Sequence, residues 1–131
     1  MKFPSLDELV IQFSHTAYPL ETEFAKRETG IANYQTWSPE ETRERIPGAD
    51  VLVVSGFWGN ALIEVAKNLK FIQSVGAGYD QFPLDTLRER GIRLASAQGV
   101  NLNGVSEHAF ALILGLARKV RQYAADGPQN N

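Results

Sequence analysis

The residues best suited to chemistry form a short loop, Val75-Gly76-Ala77-Gly78-Tyr79-Asp80, directly after an apolar run. Two glycines in three positions let the backbone turn sharply and approach a ligand without Cβ interference. The amides of Ala77 and Gly78 can then point at an anion such as a carboxylate. Each charge-assisted bond of that kind is worth about 1.5–3 kcal/mol net. A plain strand-to-helix turn uses the same residues, and the spacing alone does not choose between the two.

The loop is not a dinucleotide fingerprint. The third glycine of G-x-G-x-x-G falls on Gln81, and about 20 residues on the chain reads Gln98-Gly99-Val100, with no acid for a ribose. A Gly-Lys-Ser/Thr phosphate loop is absent too. Asn101 and Asn103 precede the last helical segment, where one can cap the helix and the other can bind a ligand oxygen. Phe57-Trp58 sets two large aromatics in a connection where turn residues are expected. They either fold back as a core plug or wall a small-molecule site. His15 lies in the connection after the first strand, where it can approach a ligand, though a satisfied surface side chain is the plainer reading. His108 follows Glu107 directly, and helix neighbours do not face each other, so no Glu–His pair or metal site follows.

Composition narrows the classes. The 131 residues contain no cysteine, which removes disulfides, thiolate metal sites and a Cys nucleophile together. A formal charge of −2 gives no electrostatic case for nucleic acid or an anionic membrane. With 44% hydrophobic and 21% charged residues a packed core is expected rather than disorder. The start, MKFPSLDELV, has acids where a signal peptide has its apolar core, so a cytoplasmic location is expected.

These residues must be positioned by alternating elements. Strands are expected near Glu8–Ser14, Ile31–Thr36, Asp50–Ser55, Lys70–Val75 and Arg93–Ala97. Three of them carry the near-continuous apolar runs of strands covered on both faces, and Ile31–Thr36, more mixed, reads as an edge. Ser38-Pro39-Glu40-Glu41 offers a helix cap, and Asn60 offers another for Ala61–Asn68. Strand–helix alternation implies an α/β fold with a parallel sheet and helices on both faces. Ligands then sit at the carboxyl ends of the strands, on a rim made of His15–Pro19, Gly56–Gly59, Gly76–Asp80 and Gln98–Asn103. The last helix, expected over 103–124, contains AFALILGLA and is apolar all round, yet too short for a bilayer, which takes about 20 such residues.

With these residues laid out, the chain resembles the N-terminal part of the D-isomer-specific 2-hydroxyacid dehydrogenase family. The likeness is carried by LKFIQSVGAGYDQFPLDTLRERGIRLASAQGVN followed by VSEHAFALILGLAR, with the Gly-x-Gly-x-Asp loop, the Asn and the Val-x-Glu-His helix start in order. The resemblance implies a flavodoxin-like, five-stranded parallel sheet over 1–102, a long apolar interdomain or dimerisation helix over 103–124 and a polar tail over 125–131. It further implies that Gly76, Ala77 and Gly78 present amides to a substrate carboxylate, that Asn101 contacts substrate, and that Phe57 and Trp58 line the pocket.

The family's cofactor-binding Rossmann motif and its catalytic Arg, Glu and His lie beyond the matching segment. The expected function is therefore the substrate-binding domain of an NAD(P)-dependent D-2-hydroxyacid dehydrogenase that interconverts 2-keto and D-2-hydroxy acids, a fragment or truncated product. The chain itself is expected to bind no NAD or NADP, to hold small 2-keto or 2-hydroxy acids weakly, to self-associate through 103–124 and to be inactive alone. The alternative is a non-enzymatic dimerising or small-carboxylate-binding module derived from that family.

Overall fold

The computed structural model describes residues 3–125 and 127. Backbone contacts divide the chain into two compact units, Met1–Gln98 and Gly99–Asn131. The first unit holds five strands, β1 (Val10–His15), β2 (Ala32–Thr36), β3 (Val51–Ser55), β4 (Phe71–Ser74) and β5 (Arg93–Ala95), in the spatial order β2-β1-β3-β4-β5 with every pairing parallel. β2 takes one edge, as its mixed composition predicts. Between strands run α1 (Leu20–Ala25), α2 (Pro39–Arg45), a 3-10 turn at Ile46–Gly48, α3 (Leu62–Val65) and α4 (Leu84–Glu89).

Side chains alternate across a strand, so the register sorts them into two faces. Leu52, Val54 and Ile72 join Ile46, Leu62, Ile63, Leu69 and Leu87 in the main core. The opposite face carries Phe13, whose ring lies 5.4 Å from that of Phe24 in α1. Helices thus occupy both faces, but coverage is unequal. β1 is buried from Ile11 to His15, whereas Val51, Val53, Phe71 and Gln73 remain half-buried. Full two-sided burial of β3 and β4, expected from their apolar runs, is not met, because the six-residue α1 packs on β1 and β2.

The amino ends of the strands are pinned by one buried acid. Lys70 Nζ donates to Asp50 Oδ1 at 2.6 Å, and the Val10 amide donates to Asp50 Oδ2 at 3.1 Å. Under β1 and β2 the core turns polar. Gln12, Ser14, Thr36 and Thr42 are fully buried, with Ser14 Oγ 2.7 Å from Thr36 Oγ1 and Thr36 Oγ1 2.9 Å from Thr42 Oγ1. Gln12 Nε2 donates to Ser14 Oγ and to the Thr42 carbonyl, both at 3.2 Å. Buried polar atoms are tolerable only when paired, and among the described residues none is left without a partner. At the margin of this cluster Tyr34 donates to the Arg45 carbonyl. Burial pushes its phenol above the ordinary value, opposed by the Arg45 guanidinium over its ring.

The Ser38 cap forms: the Glu41 amide donates to Ser38 Oγ at 3.1 Å and Glu41 Oε2 accepts from the Trp37 amide at 2.9 Å. Asn60 does not cap α3. Its Oδ1 accepts instead from Trp58 Nε1 at 3.1 Å, and the helix starts after Ala61 with no side-chain cap.

The second unit is helical, with α5 (Leu102–Ala117) and α6 (Val120–Ala125). One long apolar helix over 103–124 does not form. Lys119 takes a left-handed backbone, φ 52°, and its amide turns back to the Leu116 carbonyl, which ends α5 and leaves α6 as a short separate helix. Neither helix has a buried residue. Of the expected tail, Ala125 ends α6, while residues 126 and 128–131 lie outside the described residues. No helix among the described residues is long and apolar enough to cross a membrane.

Replacing Thr42 by Val should cost about 1–3 kcal/mol, because it removes the hydroxyl that bonds Thr36, Ser14 and the Ser38 carbonyl inside the core. The urea midpoint of unfolding measures this, and an unchanged midpoint contradicts the view that the cluster is bonded as a set.

Candidate functional site

All five strands run parallel, so their carboxyl ends and the following loops share one edge of the sheet. β4 ends at Ser74, and the glycine pair follows at once. The Ser74 side chain is buried and its hydroxyl donates toward the Gly76 carbonyl at 3.2 Å and the Gly78 carbonyl at 3.4 Å. The Ala97 amide also donates to the Gly76 carbonyl, at 3.1 Å. Both glycine carbonyls are therefore held toward the protein. Among the described residues the amides of Ala77 and Gly78 donate no hydrogen bond within the chain, and Gly76, Ala77 and Gly78 are all exposed. The product is a fixed turn with unspent donors on its outer side, an arrangement that can bind an anion's oxygens. Sequence reasoning missed Ser74. The available signal was a hydroxyl at the end of the strand, two residues before the first glycine.

The loop after β3 stands beside it. Phe57 and Trp58 are half-buried and pack on the main core, and the Trp58 ring lies 4.7 Å from that of buried Phe82 just after the glycine loop. They also line an open hollow of about 240 Å³ with Gly56, Gly59 and Arg43. Gly56 has φ 80°, and a Cβ there meets Thr16 Cγ2 at 3.0 Å, so the loops after β1 and β3 touch at a point where only glycine fits.

His15 corrects its expected place. It belongs to β1, opposite Ser55 in the register, and is 6% exposed rather than a surface side chain. Its Nδ1 accepts from the Ala17 amide at 3.0 Å and the Tyr18 amide at 2.9 Å, and its ring stacks on Tyr18 at 4.6 Å.

In the second unit Asn101 occupies the N-cap position of α5 but makes no side-chain cap bond. Asn103 lies inside the helix. Asn101 and His108 line an open hollow of about 570 Å³ with Gly104 at the helix start. No group of three or more His, Cys, Asp or Glu residues able to hold a metal is found among the described residues.

A dinucleotide does not fit the glycine loop. Pyrophosphate binding needs a helix opening at the glycines, whereas α4 begins only at Leu84, after Pro83, with no side-chain cap.

Comparison with known proteins places this fold and loop. Residues 10–125 match the family described as D-isomer specific 2-hydroxyacid dehydrogenase, catalytic domain, and the chain belongs to that family. It is 37% identical over 87 residues to a D-3-phosphoglycerate dehydrogenase of Archaeoglobus fulgidus, a stretch covering 65% of this chain and 16% of that protein. It is 35% identical over 83 residues to a hydroxypyruvate reductase of Thermotoga maritima, covering 62% of this chain and 27% of the relative. The chain thus spans well under a third of the length of these relatives. In fold it is similar to a D-lactate dehydrogenase from Treponema pallidum, with TM-score 0.67 and 22% identity over 88% of this chain and 39% of that one.

Gly56→Ala should destabilise the first unit by about 1–2 kcal/mol, since it forces a left-handed residue with a side chain against Thr16. A thermal melt tests this; a variant as stable as the parent shows that the two loops are not locked at this point.

Proposed function

We propose that this chain is the substrate-binding part of an NAD(P)-dependent D-2-hydroxyacid dehydrogenase, holding small 2-keto or 2-hydroxy acids by their carboxylate. The observation that carries the reading is the pair of amides at Ala77 and Gly78, left without partners by a turn whose carbonyls are held inward by Ser74 and Ala97. Phe57 and Trp58 supply an apolar flank. The names of the relatives, a D-3-phosphoglycerate dehydrogenase and a hydroxypyruvate reductase, support a 2-hydroxy acid or its keto form as ligand.

Under this reading NAD or NADP belongs to the full-length family, and the 131-residue chain is inactive alone. Positioning of reactants accounts for about 7–11 kcal/mol of a barrier, and this reading assigns the alignment of the nicotinamide to the full-length family. With one wall only, affinity for the acid is on the order of millimolar. Titration of the ¹⁵N-labelled protein with pyruvate should shift the Ala77 and Gly78 amide resonances, with saturation in the millimolar range, while NADH oxidation by the pure chain stays at background. Unmoved resonances at both residues would falsify the carboxylate assignment. Keto-acid-dependent NADH oxidation would remove the claim of inactivity.

The exposed helices favour the alternative of a dimerising module as an accompanying property. Phe110, Leu112, Ile113, Leu114 and Leu116 are 57–81% exposed, and apolar patches of this kind mark association sites. We propose self-association of two copies through residues 103–124. Sedimentation equilibrium should show a dimer that Leu116→Glu weakens at least tenfold, and a monomer at high concentration ends the proposal.

A further inference from the structure

We infer that the hollow between α2 and the loop after β3 binds a small organic anion, with Arg43 as the residue that holds its charge. Pro39 and Arg43 of α2 line one side of this space of about 240 Å³, and Phe57, Trp58, Gly59 and Leu62 line the rest. The lining is apolar apart from a single cation. Three acids lie on α2 with Arg43, yet among the described residues none of them forms an ion pair with it. Glu41 is engaged elsewhere, accepting from the Trp37 amide at 2.9 Å and standing 4.0 Å from Arg45. The one hydrogen bond Arg43 makes among those residues runs from Nη1 to the Ala61 carbonyl at 3.5 Å, the long limit for such a bond. Ala61 also lines the hollow, so this contact carries the guanidinium across from α2 to the opposite wall. A guanidinium has five N–H donors in a planar fork. Nearly all of them are left for a ligand.

Size and lining define the ligand. The volume lies below the roughly 300–1,000 Å³ of drug-sized pockets, which leaves room for one ring or a short branched chain. The aromatic wall takes that apolar body, and the planar fork takes a carboxylate through two parallel N–H bonds. An inorganic anion leaves the wall wet, and a neutral ligand leaves the fork unused. The space is kept open by the absence of a side chain at Gly59, where an added Cβ meets nothing within 4 Å. The site shares Phe57 and Trp58 with the proposed acid site but does not rest on carboxylate binding at Ala77 and Gly78.

Phenylacetate and phenylacetamide share a body and differ in charge, and each is titrated into the ¹⁵N-labelled whole chain. Phenylacetate should move the Phe57 and Gly59 amide resonances and bind about 3- to 10-fold tighter than phenylacetamide, the worth of a charge-assisted bond open to water. Arg43 is exposed, so Arg43→Gln leaves the core intact; it should bring the two ligands to equal affinity, while Arg43→Lys keeps part of the preference. Gly59 does not have a left-handed backbone, so Gly59→Leu fills the hollow without strain and should exclude both ligands. Equal affinities in the parent, a preference that survives in Arg43→Gln, or shifts at Ala77 and Gly78 with Phe57 and Gly59 unmoved overturn the inference. Inorganic phosphate binding as tightly as phenylacetate overturns it too, since the aromatic wall then takes no part. The pyruvate titration at Ala77 and Gly78 succeeds or fails independently of all these outcomes.

Discussion

Parallel pairing is the constraint on which the rest of this molecule depends. Because β1, β3 and β4 run the same way and in close register, three loops of unrelated composition emerge side by side. Asp50 enforces the alignment from the far end, tying the start of β1 to the start of β4 through Val10 and Lys70. A buried acid with both oxygens engaged tolerates little sliding. The alignment it sets at one end is read out at the other as the placement of His15, Ser55 and the glycine turn.

At that edge the chemistry is backbone chemistry. The turn after β4 owes its shape to a side chain that does not face solvent: the Ser74 hydroxyl takes up carbonyls, so donors are what remains outside. Aromatic stacking of Trp58 on Phe82 then links the neighbouring loop to the same turn. The edge offers oriented dipoles and an apolar flank rather than an acid–base pair.

Much of this was legible in the sequence, and the misses have physical causes. The α/β alternation, the edge position of β2, the Ser38 cap and the turn at Gly76–Gly78 follow from local patterns that nothing distant overrides. The helix over 103–124 was misread because hydrophobicity says nothing about where a backbone turns left-handed, and Lys119 carries no such signal. Apolar runs in β3 and β4 suggested two covered faces, but coverage depends on the length of α1 and where it lies, which those runs do not encode. His15 was placed in a loop because strand ends are set by pairing with β3, a long-range fact. Ser74 and the partner of Asn60 were invisible for the same reason: each is defined by what it touches.

The polar patch beneath β1 and β2 has a consequence for how the edge strand finds its partner. Greasy surfaces forgive a slip, since one methyl group packs nearly as well as the next. Hydroxyls do not. Sliding β2 by one residue would withdraw Thr36 from Ser14 and Thr42 and bring the opposite row of side chains to the inner face. The least apolar strand of the sheet is thereby held by selectivity instead of sheer burial, like a key whose teeth matter more than its weight.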